Sequence, residues 1–360
     1  MAPRQSVCDW RDGCRCCCHR CCHPPDEGSA AFFASVIRTY RGSVTDPVDR
    51  LEMVRTAVPV DLAGAVLGER WSNDTWVTDR SVLRVCWRGD RERLVREGML
   101  LESLPASVPH ATVLAAGCTE GLTWMVVRRL PGQRLDLLWP RLSGSQRRDA
   151  VVSLAGALKA LHGWTPPSVV RVVLRPTALV PVVVPDDIVG AGIMPLPVPR
   201  VFSMLDWLEE QPGMDRHVAG QVRTRIGELG PLVSDSEFED GVVVHGDAHL
   251  ANVLWHHGRL AALLDLEWAR LGPPDLEFEA ICGDDADIQA SPCAVPASDV
   301  PVLVWLRAGY PELFGREHIT ERVWLYDLCF QVRQLCAGKT VDPRSLRNLA
   351  SPTQPRVRFL

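Results

Sequence analysis

Lysine is nearly absent from this chain of 360 residues. Only two of its 39 basic residues are lysines, Lys159 and Lys339, and the others are arginines. The basic residues are also outnumbered, since 44 acidic residues leave a net charge of −5. A chain without a basic excess lacks the electrostatic footprint of a nucleic-acid-binding protein, so we expect no nucleic-acid partner.

Long apolar runs are missing as well. No stretch reaches the roughly 18 apolar residues that indicate a transmembrane helix, and no charged start followed by an apolar core indicates a secretory signal. We therefore expect a cytoplasmic protein without a membrane partner, in which most of the 13 cysteines are reduced. The 46% hydrophobic content suffices for sizeable cores, and the length predicts about two domains. The sequence leaves the oligomeric state open.

Seven of the cysteines crowd into the first 22 residues, with His19 and His23 beside them. Thiolate and imidazole groups suit Zn²⁺, so a zinc site is one interpretation. The intervening loop that separates two ligand pairs in zinc fingers is missing, which favours the other interpretation. We predict that residues 1–30 form a disordered extension that contains Cys8, Cys14, Cys16, Cys17, Cys18, Cys21 and Cys22.

A polar pattern near residue 250 governs the rest of the interpretation. The β-branched residues 242–244 predict a short strand that leads into a polar turn, and Asp247 lies on that turn. Residues 253–256 and 260–264 then predict two strands of a hairpin, joined at His257-Gly258.

The expected register of this hairpin indicates which side chains meet. If the residues next to the turn pair with each other, Asn252 lies opposite Leu263, and the alternation of side chains puts Asn252, Leu263 and Asp265 on one face. With Asp247, three oxygen-bearing side chains then converge in a volume that suits Mg²⁺. Phosphoryl transfer needs such a cation and a carboxylate that orients the attacking hydroxyl. The alternative is a polar loop in which Asp247 caps backbone N–H groups.

These residues carry a resemblance. The sequence His245-Gly246-Asp247, with asparagine five residues after the aspartate and a strand that ends in a second aspartate, resembles the aminoglycoside phosphotransferase family, which is related to choline kinases and more distantly to protein kinases. The resemblance covers roughly residues 60–340. It implies an α+β, two-lobed protein kinase-like fold, with a small antiparallel-sheet N-lobe and a larger, mainly helical C-lobe. The predicted boundaries are 31–130 for the N-lobe, 131–340 for the C-lobe and 341–360 for a tail.

The resemblance also implies a nucleotide-covering hairpin over residues 67–85. Ser72 and Asn73 lie in its loop, where backbone N–H groups and side chains are offered to phosphates. The loop is poor in glycine, and a plain surface hairpin is the alternative. Residues 124–132 resemble the segment that joins the lobes and offers backbone hydrogen bonds to adenine.

Arg84 stands at the strand position where kinases place a lysine over the phosphates, and neither lysine of this chain falls there. Arginine binds phosphate bidentately, where lysine acts as a point charge. Glu97, on a helix predicted over residues 91–104, is the partner of Arg84 that the family implies, and Glu92 and Glu102 are its rivals. A solvent-facing strand arginine is the alternative for Arg84.

Several downstream segments receive structural expectations. We expect His162, at the end of a predicted helix, to be a packed or capping residue. The valine- and proline-rich residues 165–199 predict an irregular insertion. The resemblance implies that Asp275 starts a helix and helps to hold the catalytic loop, and a helix N-cap is its simplest physical role. The carboxylates of residues 277–287 either line an acceptor pocket or form a solvated face. Helices are also predicted at residues 30–40, 47–57, 148–164, 202–210, 215–229, 301–310 and 319–336.

The resemblance therefore predicts a small-molecule O-kinase that uses ATP (or GTP) and a small-molecule hydroxyl acceptor, an antibiotic or a metabolite. Asp247 would accept the proton of that hydroxyl, Asn252 and Asp265 would hold Mg²⁺, and Arg84, positioned by Glu97, would clamp the phosphates.

Two residues of the motif receive a structural role, since His245 and His249 are expected to brace the loop. Two other functions stay open. One is a degenerate nucleotide-binding pseudokinase that acts as a scaffold or regulator, motivated by the arginine at position 84 and the glycine-poor loop. The other is a metal-binding or redox role of the N-terminal cysteines.

Overall fold

The structure is a computed structural model that describes residues 46–68, 73–87, 92–175, 198–211, 214–282 and 302–336, together with residues 347, 350 and 351. The chain forms two compact units. Unit 1 contains the residues up to Trp87 and Val113–Arg129, and unit 2 contains Arg88–Thr112 and Leu130–Leu360. The cysteine-rich extension at residues 1–30, the helix predicted at residues 30–40 and nearly all of the predicted tail lie outside the described residues.

Unit 1 is a five-stranded antiparallel sheet with a helix packed on it. The strand order is β1-β2-β3-β5-β4. The helix begins after Asp46, whose carboxylate accepts a hydrogen bond from the Val48 amide at 2.7 Å, and proline fills the first helical position. The elements are α1 (Pro47–Arg55), β1 (Val66–Leu67), β2 (Asn73–Val77), β3 (Ser81–Cys86), β4 (Val113–Thr119) and β5 (Leu122–Arg128).

The core of unit 1 follows the alternation of its strands. Leu83 and Val85 of β3 are fully buried, whereas Val82 and Arg84 are only partly buried on the other face. The buried face of α1 joins this core, which contains Leu51, Val54, Val58, Leu62, Trp76, Leu83, Val85, Leu122, Trp124 and Val126.

A charged pair lies inside this apolar core. The Arg50 side chain of α1 donates to both carboxylate oxygens of Asp74 on β2, with Nε at 2.5 Å and one terminal nitrogen at 2.9 Å. Both side chains are at most 1% exposed. The guanidinium also lies 4.3 Å from the centre of the Trp87 ring. The pair therefore fastens α1 to the sheet.

Unit 2 is mainly helical, with two small antiparallel sheets of order β6-β8-β9 and β7-β10. Its helices are α2 (Arg93–Ser103), α3 (Leu135–Leu138), α4 (Gly144–His162), α5 (Ser168–Val173), α6 (Val198–Glu209), α7 (Arg216–Leu229), α8 (Ser236–Glu239), α9 (Val302–Gly309) and α10 (Ile319–Cys336). Its strands are β6 (Gln133–Arg134), β7 (Val242–Val244), β8 (Val253–His256), β9 (Arg259–Leu263) and β10 (Arg270–Gly272).

The long helix α4 supports the strands that carry the polar motif. It begins with a capping box, in which Ser143 and Gln146 satisfy each other's backbone N–H groups. Its buried face contacts β7, β9 and α9. This packing fixes β7 and β9 from one side and so sets the position of the turns that follow them.

Local signals predicted several helices of unit 2. The prediction for residues 215–229 is confirmed as α7, whose cap Asp215 accepts from the His217 amide at 2.9 Å, and α10 matches its predicted range. The irregular insertion at residues 165–199 is wrong in part, because α5 lies within it and α6 begins at residue 198. Proline is accepted at helix starts, and Pro167 and Pro199 lie there.

No helix in the described segments is both long enough and apolar enough to cross a membrane.

Candidate active site

The predicted hairpin is present as β8 and β9. Its turn residues His257 and Gly258 both have positive φ, at 48° and 76°, which is the geometry that a two-residue turn requires. The residues next to the turn, His256 and Arg259, pair as expected. The predicted strand at residues 253–256 is confirmed.

The expected register fails farther from the turn. A β-bulge between the Leu254 and Trp255 pairs places Leu263 opposite Val253, and not opposite Asn252. Because β9 contains one residue more than β8 over this stretch, every pair beyond the bulge shifts by one position. The predicted strand pairing, which put Asn252, Leu263 and Asp265 on one face of the hairpin, is therefore wrong.

Asn252 still reaches the second aspartate through its backbone. It ends a short 3-10 turn, Leu250–Asn252, and its carbonyl accepts from the Leu264 amide at 2.8 Å. Leu264 directly precedes Asp265. The main chain thus brings the turn with Asn252 beside the residue before Asp265.

The Asp247 side chain is held at both carboxylate oxygens. The Asn252 amide nitrogen donates to Oδ2 at 3.0 Å and to the Asp247 carbonyl at 2.8 Å, and His249 Nε2 lies 3.0 Å from Oδ1. Each oxygen keeps a further lone pair for a hydroxyl. Because both contacts of the Asn252 amide go through nitrogen, its oxygen is the atom that can face a cation.

A buried glutamate supports the loop before Asp247. Glu277 accepts hydrogen bonds from the backbone amides of His245, at 2.5 Å, and Gly246, at 3.3 Å, and His162 Nε2 lies 3.2 Å from the same carboxylate. Burial alone would raise the pKa of Glu277, but the hydrogen bonds from His162 and the His245 backbone hold it below its usual value. Glu277 therefore lies neither on a solvated face nor in an acceptor pocket. Its buried carboxylate is occupied by the backbone amides of His245 and Gly246 and by His162.

The histidine of the motif has one defined tautomer. His245 Nε2 donates to the Leu264 carbonyl at 2.9 Å, while Nδ1 accepts from the Asp247 amide at 3.3 Å. The imidazole therefore ties the loop to the strand end beside Asp265, which confirms that His245 braces the loop.

Gly246 lies between these residues with φ at +79°. A Cβ built on it would lie 2.6 Å from the Trp268 carbonyl oxygen, closer than real Cβ contacts. Only glycine suits both the conformation and the space.

The sequence suggested that Asp275 caps a helix, and the structure shows that it does not. Pro273 precedes the 3-10 turn Pro274–Glu277. The Asp275 carboxylate is fully buried and accepts from Arg322 Nε at 2.7 Å and from the Tyr326 hydroxyl at 2.9 Å, both on α10. A carboxylate tolerates this burial when it is paired with an arginine, so Asp275 joins its turn to α10 and does not cap it. The loop support expected from Asp275 comes from Glu277.

Asp265 lies in a left-handed conformation, with φ 60° and ψ 52°. Its carboxylate and those of Glu97 and Glu267 have oxygens within 4.8 Å of one another. Glu97 accepts from the Leu266 amide at 3.1 Å, and buried Glu267 pairs with Arg93 of α2 at 3.3 Å. Oxygen ligands of this kind suit Mg²⁺, and Asp265 is the partly exposed member that can present an oxygen to it.

The predicted nucleotide-binding residues of unit 1 lie around its central strands. Arg84 is on β3, opposite Thr75 and Met125, and buried Asn73 begins β2. Ser72 lies outside the described residues. Glu97 belongs to unit 2, so its predicted pairing with Arg84 stays a prediction, as do the nucleotide roles of these residues.

Glu279 is one of the carboxylates of residues 277–287, and burial raises its pKa to about 8, with His249 opposing the shift and Asp327 and Asp247 adding to it. Sequence reasoning missed two further charged residues of unit 2, Glu267 and Arg93. One signal was available, because Glu267 stands between Leu266 and Trp268, and an acid among apolar neighbours indicates a buried, paired carboxylate.

Three solved structures share the fold across most of their length. Aminoglycoside phosphotransferase APH(4)-Ia is 17% identical, with 84% of this chain and 96% of that chain covered and a TM-score of 0.52. The streptomycin-ATP-APH(2")-IIa ternary complex is 16% identical, with 87% and 98% covered and a TM-score of 0.54. Aminoglycoside-3'-phosphotransferase of type VIII is 21% identical, with 79% and 98% covered and a TM-score of 0.53. No curated protein matches the chain.

These likenesses confirm the predicted fold class, with an antiparallel sheet in the N-terminal part and a mainly helical C-terminal part. The family model described as "Phosphotransferase enzyme family" matches residues 64–295, more than half of the chain and the whole of the motif around Asp247. The chain is therefore a member of the phosphotransferase enzyme family.

Proposed function

We propose that this protein is a small-molecule O-kinase that transfers the γ-phosphate of ATP (or GTP) to a hydroxyl group of an antibiotic or metabolite in the cytoplasm. The observation that carries the proposal is the geometry of Asp247, whose carboxylate is held at one oxygen by the side-chain nitrogen of Asn252 and at the other by His249. Related structures support the nucleotide and the acceptor class, since one holds ADP with hygromycin B and another holds ATP with streptomycin.

Asp247 would accept a hydrogen bond from the acceptor hydroxyl and take its proton late in the transfer. The transition state of phosphoryl transfer is loose, with charge spread over the phosphoryl oxygens, so the protein contributes mainly position and charge. A carboxylate fixed by two side-chain contacts is suited to that task because its free lone pairs have a defined direction.

Asn252 and Asp265 would hold Mg²⁺ on the phosphates, where the cation would neutralise phosphate charge. The oxygen-only donor set fits this ion. Arg84, positioned by Glu97, would clamp the phosphates, with Ser72 and Asn73 contributing donors from the hairpin loop.

A degenerate nucleotide-binding protein is the second candidate. The arginine on β3 motivates it, since arginine and lysine are not interchangeable where a phosphate is bound by geometry. Such a protein would bind Mg²⁺ and ATP as a scaffold or regulator without transferring phosphate.

Two measurements on the full chain test the proposal. Thermal unfolding with ATP or GTP, with and without Mg²⁺, reports nucleotide binding. ADP release with a panel of aminoglycosides, macrolides, choline-like alcohols and sugar or amino-acid alcohols reports transfer. We expect stabilisation by Mg²⁺ with nucleotide and acceptor-dependent ADP release. Stabilisation without acceptor-dependent turnover would favour the scaffold, and absence of both would contradict nucleotide binding.

A further inference from the structure

The turn with Asp247 contains a histidine besides His245, and this residue, His249, points its side chain at Asp247. His249 Nε2 lies 3.0 Å from Asp247 Oδ1, on the side of the carboxylate opposite the Asn252 contact with Oδ2. The terminal torsion of an aspartate is broad, so a single contact leaves the carboxylate plane free to rotate. Donors at both oxygens fix that plane.

We propose that His249 is a positioning residue for phosphoryl transfer. Its Nε2–H donates to Asp247 Oδ1 and, together with the Asn252 amide, aims the remaining lone pairs of the carboxylate at the acceptor hydroxyl. This inference rests on the proposed function. Small displacements of a reacting group reduce rates strongly, so the contact acts on the chemical step and not on nucleotide binding.

The backbone of His249 already accounts for the bracing of the turn. The His249 backbone N–H donates to the Asp247 carbonyl at 2.8 Å, and the His249 carbonyl accepts from the Asn252 backbone N–H at 2.9 Å. These bonds persist whatever the side chain is. The turn therefore does not need the imidazole for its shape.

His249 and His245, the two histidines of the motif, differ in burial. The His249 side chain is 39% exposed, whereas His245 is fully buried and tied to the Leu264 carbonyl. Removing a partly exposed imidazole leaves little cavity, so a variant at position 249 should fold. The effect of that variant on turnover then reports the contact with Asp247.

The test is steady-state kinetics of the full chain with Mg²⁺-ATP and the acceptor that gives the greatest ADP release in the panel. We expect His249→Ala to lower kcat about 10-fold, the lower end for a hydrogen bond to a charged group, with KM for ATP and acceptor changed less than about twofold. His249→Gln places an amide N–H near the position of Nε2 and should recover much of kcat. His249→Asn is too short and should not.

His217→Ala is the matched control, because His217 is exposed on α7 and should leave kcat unchanged. Wild-type kcat in His249→Ala would overturn the inference, as would a raised acceptor KM with unchanged kcat, which indicates acceptor binding. If His249→Ala loses its cooperative melting transition, equal kcat in the Gln and Asn variants would overturn it. A wild type that releases no ADP with any acceptor overturns the proposed function itself, and the inference with it.

Discussion

The two units bury charge in different ways. In unit 1, Arg50 and Asp74 satisfy each other in an apolar core and join one helix to one strand. In unit 2, Glu277 gathers donors from the loop before Asp247 and from α4, and Asp275 gathers donors from α10. The first arrangement fixes a shape, and the second fixes the loop on which Asp247 lies.

The difference indicates where substitutions should be felt. A buried pair contributes little net stability while it is intact, but removal of one partner leaves a charge buried without its partner. Damage to the pair in unit 1 should therefore appear as lost stability. Damage at Asp247 or Asp265, which are partly exposed, should appear as lost activity or lost cation dependence with the fold preserved.

The largest expected effect is that of Arg50→Ala. The free energy of unfolding should fall by about 3–5 kcal/mol, because the buried Asp74 carboxylate loses its ion pair with Arg50. Arg55→Ala is the matched control on the same helix, since Arg55 is 42% exposed and its ion pair within the described segments is with Glu52, and it should change stability by less than about 0.5 kcal/mol. Urea unfolding measures both. Equal losses in the two variants would show that the pair is well solvated.

Asp247→Asn should have the next largest effect. Turnover should fall at least about 100-fold, which is about 2.7 kcal/mol in activation free energy, because the amide cannot accept the hydroxyl proton. Melting temperature and stabilisation by Mg²⁺-ATP should stay near wild type. Asp240→Asn, at an 84% exposed side chain, is the control for loss of a carboxylate. Near-normal turnover of the Asp247 variant would refute the assigned role.

Asp265→Asn should abolish the Mg²⁺-dependent part of the stabilisation by ATP. Asparagine tolerates the left-handed backbone at this position, so the substitution removes the charge without straining the turn. Differential scanning fluorimetry with ATP, with and without Mg²⁺, measures the effect. A Mg²⁺-dependent shift as large as that of wild type would place the cation on other ligands.

The smallest expected effect is that of truncation. A chain that starts at Ala30 should melt, bind ATP and turn over like the full chain, because residues 1–29 show no apolar period. The zinc alternative differs, since it predicts about one Zn²⁺ per full-length chain and a loss of stability on chelation. Metal content and melting temperature of both chains, with and without chelator, decide between them.

Local signals explain which parts of the fold were predictable. The cap Asp215, the glycine of the hairpin turn and the β-branched run of β7 act on their immediate neighbours, so the sequence shows them directly. The Arg50–Asp74 pair joins residues 24 positions apart, and nothing in the sequence ties one to the other.

The site was predictable to the same extent. Asp247, Asn252 and Asp265 lie in one short stretch with a recognisable pattern. The bulge in β9 and the hydrogen bonds to Glu277 depend on which backbone groups still need a partner after folding. Glu277 and His245, for example, are 32 positions apart in the sequence. Pattern reasoning therefore grouped Asp247, Asn252 and Asp265 but missed the contacts that hold the loop around them.

The contact of Gly246 with the Trp268 carbonyl limits how this enzyme can be recombined. The loop with Asp247 and the turn with Asp265 touch where no side chain fits, so a segment taken from one relative will not seat against a segment from another unless both surfaces match. Chimeras between this chain and a relative should therefore transfer residues 242–272 as one block, with junctions outside β7 and β10.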